Sequence, residues 1–459
     1  MRRTGCADLH FSRRALMTRA GQQMLAIPDD AMDGLAAFER QGGLTRKDLL
    51  ERGAGMVLMA SALGALSPRG ILESAAAQAA DNPNAPILVS LYLEGGNDFL
   101  NTFVPISDPR YRTLRSHIAL PAETLIPVQG STDFAWHPSM AGIANLYNQG
   151  KVAVLPAVDY ANPDQSHFNS QGYWWRGFVG HTNDQTGWLG RVMDKTGSAT
   201  NPLQAISVSW GLDPTLRAKR APVGTVYDPG SFGFSIPDVW TDDGFTRVYR
   251  ESARGLSPRR EGPRAAGQAY ENAFRMVDQL KPLRDQGDNL PPVPVAYPDS
   301  NLGKAMRNGA RMLGAGFGTR VMSFSKGGFD THDGQLTEHV DLLKDVSDSI
   351  TAFQADLEAR GLADRVVIMV WSEFGRRPED NDGGGSDHGA GGGLMVIGNR
   401  VNGGIRSEFP GLTNLDEDDN LKVTTEFRTV YASLLEGWMG VDAEAILVGI
   451  DGARIPLIR

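Results

Sequence analysis

Ile87-Leu-Val-Ser-Leu-Tyr-Leu93, followed at once by Glu94-Gly-Gly-Asn-Asp98, decides the fold. An apolar run of this length, bounded by turn-forming residues, reads as a strand buried on both faces. A polar linker, Asp81 to Pro86, leads into it, and the loop at its C-terminal end carries two acids and two glycines. Outward from there the pattern repeats. Val152-Ala-Val-Leu-Pro156 follows a helical stretch from Met140 to Tyr147, and Ala205-Ile-Ser-Val-Ser209 follows a helix around Trp188 to Lys195. Arg320-Val-Met-Ser-Phe-Ser325 and Arg365-Val-Val-Ile-Met-Val-Trp371 complete the strands. Between those two, Leu336, Val340, Leu343, Val346, Ile350, Phe353 and Leu357 recur at helical spacing and predict an amphipathic helix from Gly334 to Arg360. Strand and helix in alternation predict an α/β fold, a mostly parallel central sheet with helices on both faces. Asp213 to Ser300 differs in composition, with a charged helical stretch (Arg254 to Leu283) and a proline-rich passage; it reads as an insertion, a helical cap over the site.

The chain has 459 residues, 41% hydrophobic and 22% charged, enough to bury a large core. A formal net charge of -9 argues against nucleic acid as a partner, because phosphate contacts need a basic surface. The same balance makes any local basic pocket more noticeable. The single cysteine, Cys6, excludes an intramolecular disulfide.

The first 80 residues read as an export leader. A basic pair, Arg46-Lys47, precedes an apolar run from Met56 to Leu66, and Ser74-Ala-Ala-Ala-Gln-Ala-Ala80 suits cleavage near Ala79. The run falls short of the ~20 apolar residues that cross a bilayer. Arg13-Arg14 is an alternative basic pair, and an N-terminal helix of the mature protein is the competing reading. No other segment reads as transmembrane. Residues 81–459 are then one domain, exported to the periplasm or beyond.

In open parallel sheets, ligands bind outside the C-terminal ends of the strands. The loops at those ends are Glu94-Gly-Gly-Asn-Asp98, Asp164-Gln-Ser-His167-Phe-Asn-Ser170-Gln171, Gly327-Gly-Phe-Asp330-Thr-His332-Asp333 and Ser372-Glu373-Phe-Gly-Arg376. A glycine-rich loop then carries Asp387-His388-Gly389. Each brings an acid and three bring a histidine. Carboxylate plus imidazole without thiolate is a ligand set for zinc, manganese or iron. Each piece also has a plain reading. Gly-Gly-Asn-Asp is a common turn, Glu373 can pair with Arg376 or Arg377, and His167 among Phe168, Tyr173, Trp174 and Trp175 can be a core histidine. His117, His137, His181 and His339 read as structural or surface residues.

At these residues the chain resembles a known family. Leu93-Glu-Gly-Gly-Asn-Asp-Phe-Leu-Asn101, Ser166-His-Phe-Asn-Ser-Gln171, Thr186-Gly-Trp-Leu-Gly190, Gly328-Phe-Asp-Thr-His332, Ser372-Glu-Phe-Gly-Arg376 and Asp387-His-Gly389 occur in the order of the bacterial domain-of-unknown-function family 1501. That family typically has twin-arginine leaders and is grouped with the alkaline-phosphatase-like superfamily. The resemblance implies an alkaline-phosphatase-like three-layer sandwich and a metal-dependent hydrolase or transferase of phosphate or sulfate esters. Carried over by position, the implied metal ligands are Asp98 (or Glu94), Asp330, His332, Glu373, Asp387 and His388. One or two divalent ions are implied, zinc or manganese first, and a small anionic or ester substrate. Arg376 or Arg377 would hold the anion, and His167 would be a ligand or general acid. The chain departs from the superfamily in its Asp330-x-His332 spacing and in the split of the strand-end Asp-His into Glu373 and Asp387-His388. No nucleophile is marked; Ser166, Ser170 and Thr102 are candidates. Two further readings stand beside the hydrolase: an exported binding or assembly protein on the same fold, and an iron site for redox or oxygen chemistry.

Overall fold

The computed structural model describes residues 84–233, 261–286, 293–450 and 452–459. The export leader lies outside the described residues. Met59–Gly233 and Asn272–Arg459 make one compact unit, which holds everything below; of the other unit, Met1–Leu58 with Phe234–Glu271, the described residues are the first part of a helix.

Nine strands form the main sheet. In chain order they are β1 (Ile87–Glu94), β2 (Val152–Asp159), β3 (Ala205–Ser207), β4 (Gly224–Thr225), β5 (Val321–Gly327), β6 (Val366–Trp371), β7 (Gly392–Ile397), β8 (Gly404–Ile405) and β9 (Thr425–Glu426). Their spatial order is β8-β2-β7-β6-β1-β5-β3-β4, with β9 also on β2. Only β7 runs antiparallel to its neighbours. The first strand is therefore central, with β6 in register on one side and β5 on the other.

Alternate residues of the central strands feed two cores. Ile87, Val89, Leu91 and Leu93 point to one face, with Ile368 and Val370; Leu88 and Tyr92 point to the other, with Val367, Met369 and Trp371. The first face is covered by α1 (Ala141–Asn148), α5 (Asn301–Gly314) and α6 (Gln335–Ala359), the second by α2 (His167–Arg176), α3 (Trp188–Thr196) and α7 (Phe427–Leu434). The remaining long helix, α4 (Glu261–Arg284), precedes α5. Two helical layers around a mostly parallel sheet explain why the strands read as unbroken apolar runs: neither face meets water.

Two expectations need correcting. Leu336 and Val340 are exposed at the start of α6, although they share the apolar spacing. Gln335 and His339 are buried there instead, because the first turns of this helix back onto the polar strand-end loops and only Leu343 and beyond reach the core. Phe168 is likewise almost fully exposed, whereas Trp174 is core, stacked on Trp371 and Phe427. The segment expected as an insertion also contributes to the body of the unit. Strand β4 extends the main sheet, and Met276, Leu280 and Leu283 of α4 lie in its core. A cap within residues 234–260 lies outside the described residues. No helix among the described residues is long and apolar enough to cross a membrane.

Candidate functional site

The first-strand loop is built for glycine. Gly95 and Gly96 have φ of 118° and 75°. A Cβ on Gly95 would sit 2.4 Å from the Asp330 backbone nitrogen, and one on Gly96 would sit 2.2 Å from the Phe374 ring. This conformation turns two successive amides toward Glu373. Its carboxylate accepts from Gly95 N–H at 3.0 Å and from Gly96 N–H at 3.0 Å. Such a pair of amides is an anion-binding nest, and here the anion is a side chain of the protein itself. Burial pushes the Glu373 carboxyl up, but the His167 and backbone hydrogen bonds outweigh it and hold it below the usual range.

Three imidazoles then converge on Asp330. His388 Nε2 is 3.0 Å and His332 Nε2 3.1 Å from Asp330 Oδ1, and His167 Nε2 is 3.5 Å from Oδ2. His332 Nε2 and His388 Nε2 are 2.9 Å apart. The far nitrogen of each ring has its own acceptor. His167 Nδ1 is 2.8 Å from Glu373 Oε1, His332 Nδ1 is 2.9 Å from Asp387 Oδ1, and His388 Nδ1–H donates to the Gln165 carbonyl at 3.0 Å. A backbone carbonyl can only accept, so His388 carries a proton on Nδ1; His167 and His332 each lie between two carboxylates, Glu373 or Asp387 at Nδ1 and Asp330 at Nε2. His167, Asp330 and His388 have ligand atoms mutually close enough to hold one metal ion. Phe374 packs against both the His167 and His388 rings and forms an apolar floor. Burial pushes Asp330 up, but Arg376 and His388 outweigh it and bring its pKa to about 2.

Other expected site residues are occupied elsewhere. Asp98 is fully buried in an ion pair with Arg115 at 2.5 Å and accepts from Gln335 Nε2 at 2.5 Å. It caps the short helix Phe99–Thr102 and does not reach the imidazoles. Glu373 accepts from the two nest amides and lies beside His167 Nδ1, so both its oxygens are engaged. Asp387 stands behind His332 and also accepts from Asn381 at 3.0 Å. Arg376 is buried and spends its donors on the carbonyls of Gly95, Gly96, Phe329 and Ser386 and on Asp330 at 2.6 Å. These bonds brace the loops around Gly95, Phe329 and Ser386. Ser170 is turned into the core against Tyr160, at 2.9 Å, and Thr102 bonds within its own loop. Ser166, the N-cap residue of α2, makes no side-chain capping bond.

Several contributors had no sequence signal strong enough to name them. Gln165 offers only a backbone carbonyl, presented by a left-handed φ of 58°. Gln335 ties three loops together, donating to Asp98 and accepting from Thr331 and Ser386. Arg115 lies 17 residues beyond Asp98. The polar pair Gln335 and His339, one turn apart on α6, was the visible clue that this end of the helix faces a site.

Fold and geometry together define an α/β protein with a histidine–carboxylate cluster at the C-terminal edge of its central strands. The chain belongs to the family described as protein of unknown function (DUF1501), whose model matches residues 177–458. The match takes in Asp330, His332, Glu373, Asp387 and His388. No curated protein matches the sequence. Among solved structures the chain is similar to the PsFucS1 sulfatase from Pseudoalteromonas sp., at 13% identity over 86% of this chain and 76% of that one, with a TM-score of 0.34. It is similar to the lipoteichoic acid synthase LtaP from Listeria monocytogenes at 8% identity, covering 79% and 74%, with a TM-score of 0.33. It is similar to the phosphonate monoester hydrolase SpPMH from Silicibacter pomeroyi at 13% identity, covering 81% and 75%, also with a TM-score of 0.33. Likeness at this level says nothing of the site.

Proposed function

We propose that this protein is an exported, metal-dependent hydrolase of phosphate or sulfate esters, holding one divalent ion, zinc or manganese, between His167, Asp330 and His388, with His332 at the edge of the same site. One observation carries this reading: the Nε2 atoms of three rings gather around one carboxylate while their Nδ1 atoms are engaged by Glu373, Asp387 and the Gln165 carbonyl. His332 Nε2 and His388 Nε2 lie 2.9 Å apart and 3.1 Å and 3.0 Å from Asp330 Oδ1, a clustering of donor atoms suited to a shared cation. Imidazole and carboxylate donors suit zinc or manganese. One ion rather than two follows from Asp98 and Glu373, whose oxygens are already bonded.

A divalent ion there would supply Lewis acidity, polarising an ester oxygen and activating an attacking water. The residues around it have separable roles. Glu373 and Asp387 engage Nδ1 of His167 and His332. Arg376 keeps Asp330 anionic and fixed. Arg377, whose charge reaches Asp387, is the arginine left to meet an anionic substrate. Among the described residues no serine or threonine hydroxyl bonds to Asp330 or to the three imidazoles, and Ser372 donates to Glu373 at 3.1 Å behind them, which favours water over a side chain as nucleophile. Export rests on the leader alone, with cleavage near Ala79, and is read out by the N-terminus of the mature protein.

The test is elemental analysis of the purified protein beside His332→Ala/His388→Ala, followed by a panel of phosphate and sulfate esters. About one equivalent of metal, lost in the variant, with ester turnover lost alongside, is the expected result. A metal-free protein that cannot be reconstituted would sink the reading. Metal without turnover would favour a binding or assembly protein built on the same fold, a reading that the missing hydroxyl also supports.

A further inference from the structure

A cavity of about 350 Å³ lies at the opposite end of the sheet, where the central strands begin. Its walls include Ile87 of β1, the residues that lead into β5 and β6, and the ends of α3 and α5. Among the described residues, two arginines line it, Arg320 and Arg365, and no acidic residue does. The other polar side chains in the wall are already satisfied. Gln204 bonds Ser198 and Pro222, Thr319 donates to the Leu203 carbonyl, and Thr196 donates to the Val192 carbonyl.

Both arginines are tethered by one edge only. Arg320 Nε donates to the Pro86 carbonyl at 3.0 Å; Arg365 Nε and Nη2 donate to the Ala85 carbonyl at 3.3 Å. Those bonds orient the two planes and leave both Nη groups of Arg320 and Nη1 of Arg365 without a partner among the described residues. Burial lowers Arg320, and proximity to the Arg365 charge adds to it. The negative ends of α3 and α5 account for some positive charge here, but their closing turns are capped by the Gly197 and Ala315 amides. Two tethered guanidiniums lining one void, on a protein of net charge -9, favour an anion there. The volume is within the range of small-ligand sites, roughly 300–1,000 Å³.

We propose that this cavity binds a small tetrahedral oxyanion, phosphate or sulfate, free or as the head of a small molecule, between Arg320 and Arg365. The planar fork of arginine matches such an anion with paired N–H donors. The site is separate from the histidine cluster and independent of the hydrolase reading.

The test is calorimetric titration of inorganic phosphate into the full chain, with His332→Ala/His388→Ala as background to silence the cluster. Binding should persist in that background, and Arg320→Gln/Arg365→Gln added to it should weaken it at least tenfold. No phosphate binding in the background variant, or unchanged binding after the arginine substitutions, overturns the proposal. Should the arginine variant fail to fold, phenylglyoxal labelling of the background variant decides instead: phosphate is expected to protect Arg320 and Arg365, and equal labelling with and without phosphate refutes the site. Repeating the titration with a phosphomonoester tells free anion from headgroup.

Discussion

His167 Nδ1 lies 2.8 Å from Glu373 Oε1, across 206 residues of chain. That contact makes a buried carboxylate the orienting partner of an imidazole whose other nitrogen faces Asp330. Burial of Glu373 is tolerated because the Gly95 and Gly96 amides share its charge. The hydrogen bond to Glu373 also raises the pKa of His167 above its usual value.

Outer partners of metal-bound histidines typically contribute about 10–100-fold in metal affinity. Glu373→Gln should therefore weaken zinc binding by about that factor while leaving one site per chain. Competition titration against a chromophoric chelator measures it. Unchanged affinity would mean that Glu373 has no part in positioning His167.

Asp98 and Arg115 are both fully buried and 2.5 Å apart. Breaking such a pair strands a charge and costs about 3–5 kcal/mol, whereas replacing both partners with apolar residues is often close to neutral. Arg115→Met should lower the urea midpoint sharply, and Arg115→Met with Asp98→Leu should recover much of the loss. Metal stoichiometry should stay the same in the double variant. Its loss there would return Asp98 to the ligand set.

Gly95→Ala should fail twice. The added methyl meets the Asp330 backbone, and the φ of 118° is one that alanine resists. The expected cost is about 1–3 kcal/mol of stability, with weakened metal binding, because Asp330 and the nest shift together. Denaturation and metal titration on one preparation separate the two effects.

Acid should destabilise the fold through two buried histidines. Burial lowers His137 to about 4 and His339 to about 3. Both are neutral in the folded protein at neutral pH, and the unfolded chain takes up their protons first as pH falls through about 6.5. The stability they contribute is complete above about 6.5 and declines down to about 4 for His137 and about 3 for His339. Each proton adds a slope of about 1.4 kcal/mol per pH unit. Urea midpoints from pH 7 to pH 4.5 should fall, and His339→Gln should show a shallower fall. Equal slopes would exclude His339 as a source.

Much of the architecture was legible because it rests on local patterns. Ile87 to Leu93 and Val366 to Trp371 could only be strands buried on both faces, and the five polar loops at the strand ends were each recognisable by composition. The start of α6 misled, since Leu336 and Val340 keep helical spacing yet face solvent. Periodicity reports which residues share a face, not what that face meets.

By itself, then, the sequence determined the strands, the loops that end them, and the pool of carboxylates, histidines and arginines those loops carry. Only the tertiary structure decided which of these meet. Asp98 and Asp330 look alike as strand-end acids, yet one is neutralised by Arg115 and the other receives three imidazoles. The reason is physical. A charge takes whichever partner lies within about 3 Å, and the order β2-β7-β6-β1-β5 places His167, Asp330 and His388 around one point from distant stretches of chain. Local composition holds no information about that order, because it is set by how the two cores pack.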